Sequence, residues 1–240
     1  MKTHSRDKWR SLPGRGIGKA IAKAYAEAGA SVCCAARTAS EIEDTVGIIR
    51  EAGHIAISVA TDVRDLVAVE AMVDRTVEAF GGLDIIVINA GVHLDRSNVE
   101  DSDPVLWKET IETNLFGAFH CARAAIPHLK RRGGGKIITL GSGIGHRGSA
   151  TRSSYGCSKA GLWMLTRVLA QELWQDKISV NELIPGPVAS HMNTGESEVA
   201  KIDSEWFKRP VDVADLALFL AAQPLVGPTA QSFSLMRRDS

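Results

Sequence analysis

The chain has 240 residues, enough for one large α/β domain or two small ones, and 45% of them are hydrophobic, so a sizeable core is available. Lys plus Arg equals Asp plus Glu at 28 each, a balance that argues against nucleic acid or an anionic membrane as partner. No apolar run approaches the roughly 18 residues of a membrane span, and the N-terminus has no apolar signal core, so a cytoplasmic protein is expected.

In chain order, short apolar runs alternate with longer helical ones. Strands are predicted over 31–36, 54–60, 84–89, 135–140, 178–183 and 230–235. Helices are predicted over 16–28, 40–51, 66–80, 104–131, 153–174 and 211–221. Several strands are apolar throughout, as parallel strands covered on both faces require. The expectation is a single α/β domain: a doubly wound, Rossmann-type parallel sheet with helices on both faces. A polar, Gly-containing stretch at 188–207 reads either as a lid over a cleft or as a plain surface loop. Cys33, Cys34, Cys121 and Cys157 show neither CxxC spacing nor a disulfide framework. The seven histidines include no HExxH, and no metal site is indicated.

Ligands of such sheets bind outside the carboxyl ends of the strands. Arg37, Asp62, Asn89-Ala90-Gly91, Ser142 and Pro185-Gly186 each follow a predicted strand. Gly14-Arg15-Gly16-Ile17-Gly18 opens the first helix, where glycines admit a close phosphate and the helix end offers free N–H groups. Tyr155 and Lys159 are four apart on a predicted helix and share a face. A cation near a phenol favours phenolate, lowering a pKa of about 10 toward neutrality. Tyr155 is then a candidate proton donor or acceptor, and Ser142 can hold the reacting oxygen. The bland alternative for the Tyr155–Lys159 pair is an exposed helix pair worth little. Ser153, Ser154 and Ser158 read as helix-start or solvent residues.

From about Arg15 to Arg237 the chain resembles the short-chain dehydrogenase/reductase family, most closely 3-oxoacyl-acyl-carrier-protein reductases and related dehydrogenases. The resemblance is carried by Gly16-Ile17-Gly18, Asp62-Val63, Asn89-Ala90-Gly91, Asn114, Ser142, Tyr155-x-x-x-Lys159 and Pro185-Gly186, in order and at family spacing. It implies an oxidoreductase interconverting a carbonyl and a secondary alcohol, a 3-oxoacyl thioester being the first-ranked substrate. It also implies a catalytic group of Asn114, Ser142, Tyr155 and Lys159, with Asn114 holding a water. Asp62-Val63 would meet the adenine, Lys159 the nicotinamide ribose and the backbone near Val188 the carboxamide; Ser190 stands where the family often has threonine. Arg37, with Arg15, can clamp a 2′-phosphate, so NADP(H) is expected over NAD(H). Residues 93–98 and 143–149, His146 and Arg147 among them, are expected to wall the substrate. Leu162, Trp163, Leu165 and Leu169 are expected to help form a family-type helical interface, giving a homodimer or homotetramer.

One segment departs from the family. Counting back from Gly18, the usual first glycine falls on Leu12 and the usual threonine on Ser11. Where an apolar first strand belongs, residues 1–10 include Lys2, His4, Arg6, Asp7, Lys8 and Arg10. Buried at the centre of a sheet, such charges cost several kcal/mol each if unpaired. Residues 1–12 are therefore set apart from the domain at 13–240, as a disordered segment beside a gapped sheet, as a poor strand, or as the product of a wrong start or frameshift. The alternative function is a catalytically impaired, cofactor-poor binding or scaffold protein of the same fold.

Overall fold

The computed structural model describes residues 16–188 and 205–237. Residues 1–12, Arg15, Ser190 and most of the 188–207 stretch lie outside the described residues. Among the described residues there are six strands: β1 (Val32–Ala36), β2 (Ala56–Ala60), β3 (Ile85–Ile88), β4 (Gly135–Leu140), β5 (Ile178–Ile184) and β6 (Ser232–Ser234). Every pairing among them is parallel. The helices are α1 (Gly16–Glu27), α2 (Ala39–Glu51), α3 (Leu66–Phe80), α4 (Pro104–Ile111), α5 (Gly117–Arg132), α6 (Gly143–Arg147), α7 (Ser153–Leu173) and α8 (Pro210–Ala221). The α/β architecture expected from the sequence is the one found.

Alternation along β4 shows why both faces are covered. Ile137 packs with Leu129, Leu162 and Val180 in one core cluster, while the next residue, Ile138, packs with Ile21, Leu183 and Val213 in another. Every residue of β4 and β5 is buried. Cys33 and Cys34 point to opposite faces, Cys33 against the first cluster and Cys34 in a third with Ile42, Val46 and Ile49. Asp65 caps α3 by accepting from the Val67 and Ala68 amides, contributing about 1 kcal/mol, and Gly81 ends it in the left-handed region.

The sheet is broken. Among the described residues β1 pairs only with β2, and β3-β4-β5-β6 form a separate sheet. Val32 nevertheless shares a cluster with Ile85 and Val87 on one face, and Cys33 packs with Ile86 on the other. Helices bridge the break: α3 packs on α5 over one face, and α1 contacts α2, β1 and α8 over the other. Where β4 and β5 are fully buried, the apolar residues Val32, Ala35, Ile85, Ile86 and Val87 beside the break keep part of their surface open.

Three expectations need correction. The single helix expected over 104–131 is α4, a π-helical turn at Glu112–Phe116, and α5. Leu162 and Leu169 belong to the chain's own core, because residues seven apart on α7 both face the sheet. The apolar side chains that α5 and α7 turn outward are Phe119, Met164 and Val168, with Phe116 beside them. Ser153 and Ser154 do start α7, but Ser154 is buried there and Ser158 is buried further along the helix, so neither of these two is a solvent residue.

Candidate active site

One cavity of about 1920 Å³ collects Gly16, Ile17, Gly18, Arg37, Asp62, Val63, Asn89, Ala90, Gly91, Tyr155, Lys159, Pro185, Gly186 and Val188. Every predicted cofactor-binding residue among those described therefore lines a single space. It exceeds the few hundred to about 1,000 Å³ of ordinary ligand pockets because it continues into the break between β1 and β3. Two glycines set its floor. A Cβ on Gly18 would come within 2.8 Å of the Asn89 side chain, and Gly16 adopts φ +83, a backbone that favours glycine. The walls suit a dinucleotide: bare backbone at a helix start, a guanidinium at the end of β1, and small residues after β3.

Arg37 is half-exposed; it lies 4.0 Å from Glu109, and its charge also acts on the Asp62 carboxylate. Asp62 also lines the cavity, but its carboxylate is engaged by Arg64, whose backbone N–H and guanidinium both donate to it. That hydrogen bonding holds the Asp62 carboxyl below the usual carboxylate range. Adenine bonding by this carboxylate has to compete with Arg64.

α7 carries Tyr155 and Lys159 on one face, as their spacing predicts, with the Lys159 Nζ 5.8 Å from the phenol ring centroid. Lys159 is buried and donates to the Leu140 carbonyl at 2.7 Å. Desolvation pulls its pKa down to about 8, opposed by the Glu182 carboxylate. The expected acidification of Tyr155 is not found: burial pushes its phenol up, outweighing a hydrogen bond with Ser142 and the charge of Arg152. Spacing brings the cation close, but the loss of water around the phenol is the larger effect.

Asn114 is fully buried. Its Oδ1 accepts from the Val92 N–H at 2.7 Å, and its Nδ2 donates to the Val92 carbonyl at 2.9 Å and to Ser158 Oγ at 3.0 Å. Ser158 in turn donates to the Tyr155 carbonyl at 2.8 Å. The side chain expected to hold a water is thus committed to the loop after β3 and to α7. The π turn around Asn114 is a local widening of the kind that recurs at functional sites. Ser142, in extended backbone after β4, caps α6 through its Oγ, which accepts from the Ile144 N–H at 3.3 Å.

His93 packs its ring 4.9 Å from that of Tyr155, in keeping with a place in the substrate wall. His146 points elsewhere: its Nε2 lies 3.0 Å from Glu182 and its ring 5.1 Å from Trp163. Glu182 escaped notice in the sequence. The signal was there, a lone carboxylate in an otherwise uncharged strand run covered on both faces. Among the described residues no cluster of His, Cys, Asp or Glu is arranged for a metal, and no helix is long and apolar enough to cross a membrane.

Relatives place this geometry. Residues 13–201 match the family described as short chain dehydrogenase. The chain is 35% identical over 213 residues to a cis-4-hydroxycyclohexanecarboxylate dehydrogenase of Sinomonas cyclohexanicum, covering 86% of this chain and 85% of that one. It is 33% identical over 225 residues to a 3-oxoacyl-[acyl-carrier-protein] reductase of Staphylococcus aureus, covering 91% of each. A solved 3-ketoacyl-ACP reductase from Sinorhizobium meliloti superposes with a TM-score of 0.83 at 32% identity, over 92% of this chain and 93% of that one. With its cleft at the strand ends and its Tyr155–Lys159 pair beneath, the chain belongs to the short-chain dehydrogenase family of NAD(P)-dependent oxidoreductases acting on carbonyls and alcohols.

Proposed function

We propose that this protein is an NADP(H)-dependent carbonyl reductase, with a 3-oxoacyl thioester as its substrate class. The observation that carries the reading is the convergence of Tyr155, Lys159 and the glycine-floored strand ends on one cavity. The substrate class is supported by similarity to two reductases named for 3-oxoacyl or 3-ketoacyl carriers.

Bound NADPH supplies the hydride that the protein itself lacks. Gly16, Ile17 and Gly18 receive the pyrophosphate at the α1 N-terminus, and Arg37 favours the 2′-phosphate. Asn89, Ala90, Gly91, Val63, Pro185, Gly186 and Val188 line the rest of the cofactor's path, and Lys159 holds the nicotinamide ribose. At the reacting end Ser142 donates a hydrogen bond to the carbonyl oxygen, polarising it. Tyr155 gives its proton to that oxygen as the carbon is reduced. Its raised pKa keeps the phenol protonated at neutral pH, as the reductive direction requires. Lys159 stands beside it as the charged group through which the proton is replaced, and Asn114 fixes the helix that carries both. The outward apolar side chains Phe116, Phe119, Met164 and Val168 support an oligomer built on α5 and α7.

The test is steady-state turnover of acetoacetyl thioesters and of 4-oxocyclohexanecarboxylate, each with NADPH and with NADH. Preference for NADPH and thioester is expected. A clear preference for NADH, or turnover of the cyclic acid alone, defeats the corresponding half of the reading.

A further inference from the structure

β5 reads Ile-Ser-Val-Asn-Glu-Leu-Ile, and all seven residues are buried. Glu182, the fifth of the seven, is 1% exposed. A carboxylate in such a place costs several kcal/mol unless it is paired and hydrogen-bonded. Glu182 has both kinds of partner: His146 Nε2 lies 3.0 and 3.3 Å from its two oxygens, and Ser232 Oγ donates to one of them at 2.6 Å. These contacts tie β5 to α6 on one side and to β6 on the other.

The position of the carboxylate matters more than its partners. Gly141 passes directly over it, so that a Cβ at residue 141 would collide with Glu182 Oε1. The residue before Gly141 is Leu140, whose carbonyl receives the Lys159 ammonium. The residue after it is Ser142, whose hydroxyl caps the helix that carries His146. One buried carboxylate thus sits under the three-residue stretch that anchors Lys159 and presents Ser142.

We infer that Glu182 is a positioning residue for the proposed reductase site: through His146 it fixes α6 and hence Ser142, and its negative charge sustains the Lys159 ammonium. The inference rests on the reductase reading for its catalytic consequence, but not for its electrostatic one. Among the described residues, the charged and titratable groups facing this cluster are Tyr155 and Arg152 from α7, His146 and Arg147 from α6 and Glu182 from β5. Of these, Glu182 is the one that opposes the burial drawing Lys159 down to about 8. Removing its charge while keeping its shape leaves desolvation unopposed, and the ammonium loses its proton at lower pH.

The test titrates Lys159 directly in the full chain without cofactor, by 13C NMR of its Cε, with Lys159→Met giving the assignment. In Glu182→Gln the Lys159 midpoint should fall by about one pH unit. Glu182→Asp, which keeps the charge, should hold it near the wild-type value. Glu182→Met, an apolar side chain of similar size suited to a buried strand, repeats the experiment should the amide variant fail to fold. In turnover, the alkaline limb of kcat/KM should move down in pH with the Lys159 midpoint. His146→Gln should raise KM and leave that midpoint in place. A Lys159 midpoint unmoved in folded Glu182→Gln or Glu182→Met overturns the inference. Wild-type protein that reduces no carbonyl, while the NMR midpoint still shifts, overturns the reductase reading instead.

Discussion

Asn114 grips both backbone polar groups of Val92: the side-chain carbonyl accepts from the Val92 N–H, and the side-chain amide donates to the Val92 carbonyl. The side chain thereby acts as a strand partner for the loop after β3, with a further bond to Ser158. Replacing it by Ala leaves both backbone groups of half-buried Val92 without this partner and takes from Ser158 one of its two hydrogen bonds. Asn114→Ala should destabilise the protein by about 2–4 kcal/mol in urea unfolding, and should cut kcat as the α7 helix loses its brace. Loss below 1 kcal/mol would mean that water replaces the asparagine without penalty.

Tyr155→Phe removes one hydroxyl and keeps the ring against His93. Loss of the proton donor should lower kcat by at least about 100-fold while NADPH affinity, read by fluorescence, stays within a few fold of wild type. Near-normal turnover in this variant ends the assignment of Tyr155 as donor.

Lys159 predicts a stability effect with a definite sign. Its folded pKa is about 8 against an ordinary 10.5. Between those values the unfolded chain holds more protons than the folded one, so stability rises with pH across that window. Below pH 8 the buried ammonium costs about 3 kcal/mol, and the cost is relieved as pH climbs from 8 to 10.5. Lys159→Met has no such cost. Its Tm relative to wild type should therefore fall by roughly 5–10 °C between pH 7 and pH 10. A Tm difference independent of pH would show that the lysine titrates normally.

Much of this was legible because long apolar runs carry their own evidence. β4 and β5 lie where the sequence places strands, to within a residue, and α3 ends at the same two residues expected for it. Arg37, Asp62, Asn89 and Pro185 were readable as cavity-lining residues for the same reason, since each follows a strand and strand ends converge in this fold. What escaped depends on distant neighbours. The π turn at Glu112–Phe116 accompanies a bond between Asn114 and Val92, 22 residues away. The role of Glu182 depends on His146 and Ser232, 36 and 50 residues away. Tyr155 was misjudged because spacing shows a nearby cation but not the loss of solvent around the phenol.

Arg37 offers the cleanest test of cofactor choice. It is half-exposed, lines the cavity, and meets only the carboxylates of Glu109, at 4.0 Å, and Asp62, through its charge, among the described residues. Asp62 and Glu109 both keep Arg64 as a closer cation when the Arg37 charge is removed. Arg37→Asp should lower kcat/KM with NADPH by about tenfold or more and improve the ratio toward NADH, because the new carboxylate repels a 2′-phosphate. Unchanged preference would transfer 2′-phosphate recognition to other residues.

The break between β1 and β3 makes the last prediction. Each strand offers one edge of N–H and C=O groups with no neighbouring strand among the described residues. Each edge belongs to a strand already in a parallel pair, and helices span the space above and below. An apolar strand running parallel to both would complete their hydrogen bonds and cover Val32, Ile85, Ile86 and Val87. The charges of Lys2, Arg6, Lys8 and Arg10 oppose such burial in the segment that precedes α1. Replacing these four by Val or Ile should raise Tm by at least about 5 °C and tighten NADPH binding, since the cavity proposed to take the cofactor continues into the break. The paired measurement is a thermal melt and an NADPH titration of each chain. A lower Tm and weaker binding in the substituted chain would show that its charged start already serves the fold.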